Sequence, residues 1–483
     1  MSAEAASVIA MQQSQSSSLH AVYAGCQFAA LMLLAKLLRP ELVGEYALGL
    51  AIVYPVIALM SFQLRAVLAS DIYRQTYFGH YLSLRLLTTA LALMIVFAIT
   101  RVLGYRLELT AVVVMVGVSQ AIETVSDIYY ARLQLCDNML GISKSLIARA
   151  VLSVIGLTIG IYIGRNLLWG IAGIIVARAA VLFGYDIRER THGLNRQPNE
   201  LRHETLRPLF SLKAQRELLS FSFPLGILTL FVTLNSSIPS YFIKHALGER
   251  SLGIFSAIGF VVSVGSLAAV SLGQSAFTRL ARAYAAENIG EFWSLMGILL
   301  ALGAAVGICG MIVSKIAGHE ILRILFRPEY AEQADLLPWI MAAGGMGYMA
   351  QFLGIGMTAA RNYKPQIALL VAVSVSLTVA SYLLVGRQGL LGAIFAMSIG
   401  SFVQAAGGAV ILFPGLRRRS GVCAKRVGTT ATATEKINSR ELSFTQKRLH
   451  LSARWRSPLC GFWYLPFHGK TQFGSLSMAP PPV

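Results

Sequence analysis

Charged residues are scarce in this 483-residue chain: they make up 13% of it, whereas a soluble globular domain carries about 25%. Hydrophobic residues make up 55%, which excludes a disordered chain because disorder combines low hydrophobicity with high charge. Acidic residues are especially few, 22 against 41 Lys and Arg, and the formal charge is +19. In a soluble protein that charge would indicate a nucleic-acid partner. In so apolar a chain it is typical of the cytoplasmic loops of a polytopic membrane protein, and we expect no nucleic acid.

Cysteine is also rare, with five residues and no Cys-x-x-Cys pair or His–Cys cluster at metal spacing. This odd, scattered set argues against a disulfide framework and against structural zinc. Nucleophile-elbow and P-loop signatures are absent, so we expect neither an enzyme nor an ATP-driven pump, and no cofactor or metal. Residues 1–18 are polar, and the apolar run after them has no charged region before it. We therefore expect no cleavable signal peptide.

Long apolar runs dominate what is present. A helix that crosses a bilayer needs about 20 mostly apolar residues, and the chain contains twelve such windows. The sequence therefore predicts an all-α polytopic membrane protein with about twelve transmembrane helices. The windows are 19–38, 44–64, 81–100, 109–131, 145–164, 167–186, 218–241, 252–273, 294–314, 334–358, 366–385 and 389–413.

The Lys and Arg residues of the connections set the predicted orientation. The even-numbered connections carry 15 of them and the odd-numbered connections carry 11. The chain after Pro414 adds 12 more on the even side. Since cytoplasmic loops carry the excess of basic residues, we expect the even connections and both termini to lie in the cytoplasm.

The two halves of the chain repeat each other. Gly44 lies at the start of the second window, and Gly253 lies at the same place in the eighth. The Gly-Arg pair at residues 164–165, which ends the fifth window, has a counterpart at residues 386–387. Six spans followed by six spans form a parallel repeat, with two lobes related by a pseudo-two-fold axis along the membrane normal. Transporters with this architecture bind their substrate between the halves.

These features divide the chain into five parts. A polar N-terminal segment precedes the first six-helix lobe, a basic cytoplasmic linker joins it to the second six-helix lobe, and a basic tail follows. The tail holds 12 basic and two acidic residues, and we expect it to be disordered or to lie on anionic lipid headgroups. The predicted boundaries are, in order, 1–18, 19–186, 187–217, 218–414 and 415–483.

Two short segments resemble motifs of a known family. Residues 37–47 read Leu-Leu-Arg-Pro-Glu-Leu-Val-Gly-Glu-Tyr-Ala and are similar to the LLGPE-x-(F/Y)G-x-Y motif of bacterial polysaccharide transporters. Residues 326–332 read Phe-Arg-Pro-Glu-Tyr-Ala-Glu and resemble the FG-x-x-Y-x-x-A loop before the tenth helix of that family. The family contains the O-antigen and exopolysaccharide flippases of the multidrug/oligosaccharidyl-lipid/polysaccharide exporter superfamily. The resemblance covers residues 19–414, and Arg39 stands where the family usually has Gly.

The resemblance implies a flippase of the bacterial inner membrane. Its substrate would be an undecaprenyl-diphosphate-linked oligosaccharide, carried from the cytoplasmic to the periplasmic leaflet for lipopolysaccharide or exopolysaccharide synthesis. Ion-coupled alternating access and cooperation with a polysaccharide polymerase and chain-length machinery are also implied. Two alternatives stay open. One is a drug/cation antiporter of the same superfamily; the other is a membrane-embedded polymerase or ligase, which usually needs a larger extramembrane loop than this chain has.

A flippase needs a polar route for its substrate's headgroup, so ionisable residues at membrane depth are the candidate functional residues. Glu123 and Arg178 lie near the middle of their windows, where a charge costs at least ~2.5–3.5 kcal/mol. One interpretation is a cavity arginine that meets the diphosphate, with a carboxylate that couples transport to an ion. The other is a structural pair.

Three further ionisable residues lie about one turn inside the even side. Arg85 and Arg149 are additional candidates for a substrate cavity, although side chains at that depth also extend to the headgroups. Asp127 is a second ion-coupling candidate, because it lies four residues after Glu123 and therefore on the same helix face. The second lobe has only polar residues at comparable depth, so we expect the charge of the site to come from the first.

Overall fold

The computed structural model describes residues 25–26, 29–70, 77–135, 138–188, 207–360 and 363–413. These ranges are almost entirely helical and contain no strand, which confirms the predicted all-α class. Residues 29–37 form the first described helix. The helices after it are α1 Pro40–Ser61, α2 Leu64–Ser70, α3 Phe78–Val102, α4 Leu107–Leu135, α5 Met139–Gly164, α6 Leu167–Val181, α7 Leu212–Ala285, α8 Ile289–Leu325, α9 Pro328–Ala331, α10 Leu337–Ala359, α11 Tyr363–Gln388 and α12 Leu390–Phe413.

Ten helical segments of the described ranges are long and apolar enough to cross a membrane. One of them, Leu212–Ser263, has 52 residues, more than twice the length of about 20 residues that a crossing requires. It includes the predicted seventh window and the first half of the eighth. The predicted segments 1–18 and 415–483 lie outside the described residues, as do residues 19–24 and 27–28 of the predicted first window, 19–38.

The seventh and eighth windows lie in one long element, α7. We expected two helices with a connection at residues 242–251, and α7 consists of two helices that meet at a kink inside this range; the first of them begins before residue 218. The kink is at Gly248, whose φ of 85° and ψ of −177° are open essentially to glycine alone. One glycine therefore replaces a loop between the two helices.

Asn138 and Asn166 precede the long helices α5 and α6 of the first lobe, but only Asn138 caps its helix with its side chain. The Asn138 side-chain oxygen accepts a hydrogen bond from the Gly141 amide at 3.0 Å and caps α5. Asn166 precedes α6 but makes no side-chain cap hydrogen bond. We expect Asn138→Ala to lower the free energy of unfolding by about 1 kcal/mol, because an amide at the helix start loses its acceptor. Thermal unfolding in detergent would measure this, and Asn166→Ala, the matched control, should leave the midpoint unchanged.

The two glycines of the repeat meet at the interface between the lobes. A Cβ atom on Gly44 would lie 1.9 Å from the carbonyl oxygen of Glu249, and one on Gly253 would lie 1.9 Å from that of Pro40. Pro40 and Gly44 precede Glu249 and Gly253 by the same number of residues. Such reciprocal contacts are typical of a two-fold interface. The positions that repeat in the sequence are therefore also related by the symmetry of this contact.

Helices α1 and α7 continue this interface through the membrane. The Tyr241 hydroxyl donates to the Ala51 carbonyl at 2.5 Å, and Thr229 donates to the Ala58 carbonyl at 3.2 Å. At the far end of α1, the ring of Phe62 stacks on that of α7 residue 223 with 6.2 Å between centroids. The two lobes are therefore joined along the whole length of α1.

The two faces of the membrane bundle carry different connections. We name them the odd face and the even face after the predicted odd- and even-numbered connections. Residues 102–107 and 164–167 lie on the odd face, whereas residues 135 and 138 lie on the even face. The linker reaches the even face at α3, where Leu209 donates its amide to the Gly79 carbonyl at 3.0 Å and accepts from the Ser83 hydroxyl at 2.6 Å.

Ion pairs join the lobes on the odd face, and we name this group the odd-face clamp. The guanidinium of Arg106 lies 3.3 Å from the Glu45 carboxylate of its own lobe and 3.0 Å from the Glu249 carboxylate of the other. The guanidinium of Arg250 lies 3.9 Å from the Glu41 carboxylate across the same interface. The clamp and the glycine contact together hold the lobes against each other on this face.

Candidate functional site

All five residues proposed from the sequence lie in the first lobe. The structure assigns them to four neighbouring helices, with the two carboxylates on α4 and one arginine on each of α3, α5 and α6. The three arginines are almost completely buried. In chain order, the five are Arg85, Glu123, Asp127, Arg149 and Arg178.

Glu123 and Arg178, the two residues near the membrane centre, form an ion pair. Arg178 Nη1 lies 2.8 Å from Glu123 Oε2 and also donates to the Ser119 carbonyl at 3.0 Å. Glu123 is partly accessible, with 22% of its side chain exposed, whereas Arg178 has 7% exposed. Burying this pair without a partner for either member would be costly, so each residue accounts for the position of the other.

Arg149 lies between two carboxylates. Its Nη2 is 3.2 Å from Asp186 Oδ2, and its Nη1 is 3.9 Å from Glu123 Oε1. It also donates to the Tyr130 hydroxyl, and its guanidinium lies 5.1 Å from the centre of that ring. Only 2% of the side chain is exposed, so Arg149 is held inside the lobe and does not extend to the headgroups.

Asp127 lies nearer the even face. Its Oδ1 accepts from Arg65 Nη1 at 3.3 Å, and 35% of its side chain is exposed. Arg65 belongs to the short helix α2, which follows the left-handed residues Phe62 and Gln63 at the end of α1. This turn packs α2 against α4 and directs the Arg65 guanidinium at Asp127.

Arg85 is the candidate that the structure does not bring into an ion pair within the described chain. Its side chain is buried, its Nε has no hydrogen-bond partner among the described residues, and Asp127 is the charge that acts on it. The neighbouring residue Ser83 contacts the linker instead. Arg85 thus contributes positive charge beside the cluster without contacting its carboxylates.

Sequence reasoning missed Asp186, Tyr130, Ser145 and Arg65. Asp186 accepts from the Ser145 hydroxyl, which lies 2.7 Å from the Tyr130 hydroxyl. Asp186 is the final residue of the window 167–186, so its polarity was visible at the end of an apolar run. Its separation from Arg178 by eight residues is not a helical repeat, however, and the pattern gave no reason to join them.

The assembled cluster carries more positive than negative charge. The three ion-paired guanidiniums balance the three carboxylates, and the buried Arg85 beside them adds one positive charge; the paired groups are those of Arg65, Arg149, Arg178, Glu123, Asp127 and Asp186. No group of His, Cys, Asp and Glu within the described ranges could hold a metal ion. The cluster extends from the even face to the middle of the lobe, and its net charge favours an anionic ligand.

The two family-like segments meet on the odd face. Arg327 Nε donates to the carbonyl of Lys36, which precedes the first segment, at 3.0 Å. Glu329 accepts from the clamp residue Arg250 at 3.4 Å. Tyr330 is fully buried at this corner, and burial raises the pKa of its hydroxyl. The residues that carry the resemblance are therefore structural parts of the contact between lobes.

The fold is that of a two-lobe membrane transporter. It is similar to the structure of the lipid II flippase MurJ in an inward closed conformation, with a TM-score of 0.67, 12% identity and coverage of 83% of this chain and 89% of that one. It is also similar to an inward-facing multidrug resistance MATE family transporter of the MOP superfamily, with a TM-score of 0.66, 16% identity and coverage of 83% and 95%. These likenesses confirm the predicted two-lobe architecture.

The sequence identifies the family. The sequence profile of the polysaccharide biosynthesis protein family matches residues 14–283, more than half of the chain, and the chain belongs to that family. It is 27% identical over 384 residues to the capsular polysaccharide biosynthesis protein CapF of Staphylococcus aureus, covering 78% of this chain and 92% of the relative. The predicted membership is thereby confirmed, and the family and its structural neighbours are consistent with a transporter and not an enzyme.

Proposed function

We propose that the chain is a flippase that carries an undecaprenyl-diphosphate-linked oligosaccharide from the cytoplasmic to the periplasmic leaflet of a bacterial inner membrane. The observation that carries this proposal is the partly buried cluster of the first lobe, where three arginines balance three carboxylates and the buried Arg85 beside them adds a fourth positive charge. A family of polysaccharide biosynthesis and a fold shared with a lipid II flippase support the same substrate class.

The chemistry of the cluster suits a diphosphate. Guanidinium groups bind phosphate oxygens through paired, planar hydrogen bonds and stay charged at every physiological pH. Arg178 and Arg149 would meet the headgroup at the membrane centre, and Arg85 would add positive charge on the way from the even face. The same surplus of arginine opposes a cationic drug as the substrate, which separates this proposal from the antiporter alternative.

Alternating access would use the contact between the lobes. The odd-face clamp and the Gly44–Gly253 contact hold the lobes together on the odd face, whereas the Arg65–Asp127 pair lies partly exposed toward the even face. A headgroup would enter from the even face and leave after the clamp has opened. Glu123 and Asp127 are the proposed ion-coupling carboxylates, and Asp127 is the more accessible of the two.

Deletion and complementation test the proposed function. A strain that lacks the protein is expected to accumulate lipid-linked repeat units on the cytoplasmic leaflet and to lose its surface polysaccharide, because assembly outside requires the flipped unit. Labelling with a membrane-impermeant sugar-binding probe measures which leaflet holds the units. A plasmid copy of the chain should restore the polymer. Normal surface polysaccharide in the deletion strain would contradict the proposal.

The proposed orientation has its own test. We infer that the even face and both termini lie in the cytoplasm, since basic residues are more numerous on that side. Fusion of alkaline phosphatase at Gly104 on the odd face should give an active enzyme outside the cytoplasm. Fusion after Phe413 should give an inactive one. The reverse result would invert the direction of transport.

A further inference from the structure

Asp186 lies on an irregular turn of helix. Residues Leu182–Asp186 form a π-helical turn at the end of α6, and helical structure resumes to residue 188. A π turn contains one residue more than an α turn and occurs frequently at functional sites. The turn therefore shifts the register of every residue after it.

This shift decides which residue faces the cluster. In a regular α-helix of about 3.6 residues per turn, the residue seven positions after Arg178 would share its face, and the residue eight positions after it would be rotated by about 80°. The extra residue of the π turn moves Asp186 into the position that Tyr185 would otherwise occupy. Asp186 thus joins Arg178 on the inner face of α6, where it contacts Arg149.

The distances show which carboxylate each arginine contacts most closely. It lies 3.2 Å from Asp186 but 3.9 Å from Glu123, whereas Arg178 lies 2.8 Å from Glu123. The Ser145 hydroxyl donates to the same Asp186 carboxylate and fixes it from the side of α5. Glu123 is consequently paired most closely with Arg178, and Asp186 neutralises Arg149.

We propose that Asp186 is a positioning residue that draws Arg149 away from Glu123 and so keeps the Glu123–Arg178 pair intact. If the Asp186 charge is removed, Arg149 moves to Glu123 and releases Arg178, although neither residue of that pair contacts Asp186. For the substrate, this inference rests on the proposed function: the released guanidinium would strengthen the binding of a diphosphate.

The sharing of Arg149 is tested by a double-mutant cycle on the purified, full-length protein, which needs no transport assay. Melting temperatures are measured for the native protein, Asp186→Asn, Glu123→Gln and the double variant. We expect the Glu123 substitution to lower the melting temperature more in the Asp186→Asn background, by about 2 °C or more, because Glu123 is then the one carboxylate within 4 Å of Arg149 among the described residues. Additive shifts would overturn the inference.

A second variant covers the case in which Asp186→Asn does not fold. Ser145→Ala keeps every charge but removes the hydroxyl donor of Asp186, which should then take a larger share of Arg149. The cost of Glu123→Gln is therefore expected to be smaller in the Ser145→Ala background than in the native protein. Equal costs in the two backgrounds would overturn the inference.

Binding of farnesyl diphosphate, a short diphosphate lipid, gives the readout that a structural role would not produce. Titration calorimetry is expected to show about ten-fold tighter binding to Asp186→Asn, the effect of one additional positive charge at short range. Asp335→Asn removes an exposed carboxylate outside the cluster and is the matched control, with unchanged affinity expected. Weaker or unchanged binding to Asp186→Asn would contradict the inference. If the native protein does not bind farnesyl diphosphate but the double-mutant cycle is non-additive, the proposed function is contradicted and the inference about Asp186 stands.

Discussion

Arg178→Ala is expected to abolish transport and to lower the free energy of unfolding by about 3–5 kcal/mol, because it leaves the Glu123 carboxylate without its closest cation inside the lobe. Arg149 lies 3.9 Å from the same carboxylate, which favours the lower end of that range. Complementation of the deletion strain measures transport, and thermal unfolding in detergent measures stability. Arg101→Ala, at an exposed position in the last turn of α3, is the control and should change neither.

A double variant separates the two interpretations of this pair. Replacing a buried ion pair by apolar residues of similar size is often neutral for stability, so Arg178→Met combined with Glu123→Leu should recover most of the lost stability. Transport is expected to stay absent, since the proposed diphosphate site has lost its central guanidinium. A double variant that is both stable and active would instead assign the pair a purely structural role.

Gly44→Ala is expected to disrupt the interface between the lobes, although it adds one methyl group. That group would lie 1.9 Å from the Glu249 carbonyl oxygen, a backbone atom with no freedom to rotate away. We expect a loss of about 1–3 kcal/mol, as for other overpacked contacts, and a loss of transport. Thermal unfolding and complementation measure the two effects, and Gly253→Ala should reproduce both because its contact is reciprocal.

Gly259→Ala is the matched control for this prediction. Gly259 lies in α7, and a Cβ atom there would have no neighbour within 4 Å. The same substitution should therefore be neutral or stabilising by about 0.5–1 kcal/mol, the ordinary advantage of alanine over glycine inside a helix. Equal melting temperatures for Gly44→Ala and Gly259→Ala would contradict the proposed steric contact.

The length and spacing of the apolar runs were sufficient to predict the class of fold. Most windows coincide with helices because a bilayer-crossing segment is defined by composition over about 20 residues, a property of the sequence alone. The connection expected at residues 242–251 contains the kink at Gly248 that separates the two helices of α7. There a single positive φ at Gly248 replaces the loop, and nothing in the surrounding composition distinguishes this glycine from the others of the chain.

The candidate site was predictable in part. Glu123 and Arg178 stood out because charge near the membrane centre is costly, and the structure brings them together. Asp186 could not be linked to them, since the π turn changes the helical repeat on which such reasoning depends. The depth of Arg149 allowed either a cavity residue or a side chain that extends to the headgroups, and only three-dimensional packing determines that it points inward to Asp186.

Gly44 and Gly253 show the same limit on what the sequence predicts. Their equivalent positions were visible as a repeat, yet the sequence does not state that repeated positions touch. Contact follows only because the symmetry axis passes between them, which brings Pro40 and Glu249 against the opposite helices. A repeat thus predicts that the two positions have equivalent surroundings. The structure adds that each position forms part of the surroundings of the other.

The odd-face clamp makes the strength of the contact between the lobes depend on the ionic strength of the surrounding solution. Arg106 and Arg250 expose 64% and 58% of their side chains, so mobile ions reach them freely. Attraction between such charges weakens over a distance of about 8 Å at physiological ionic strength and over less in concentrated salt. The glycine contact, by contrast, is insensitive to salt. The contact between the lobes on this face therefore has one contribution that salt weakens and one that salt leaves unchanged.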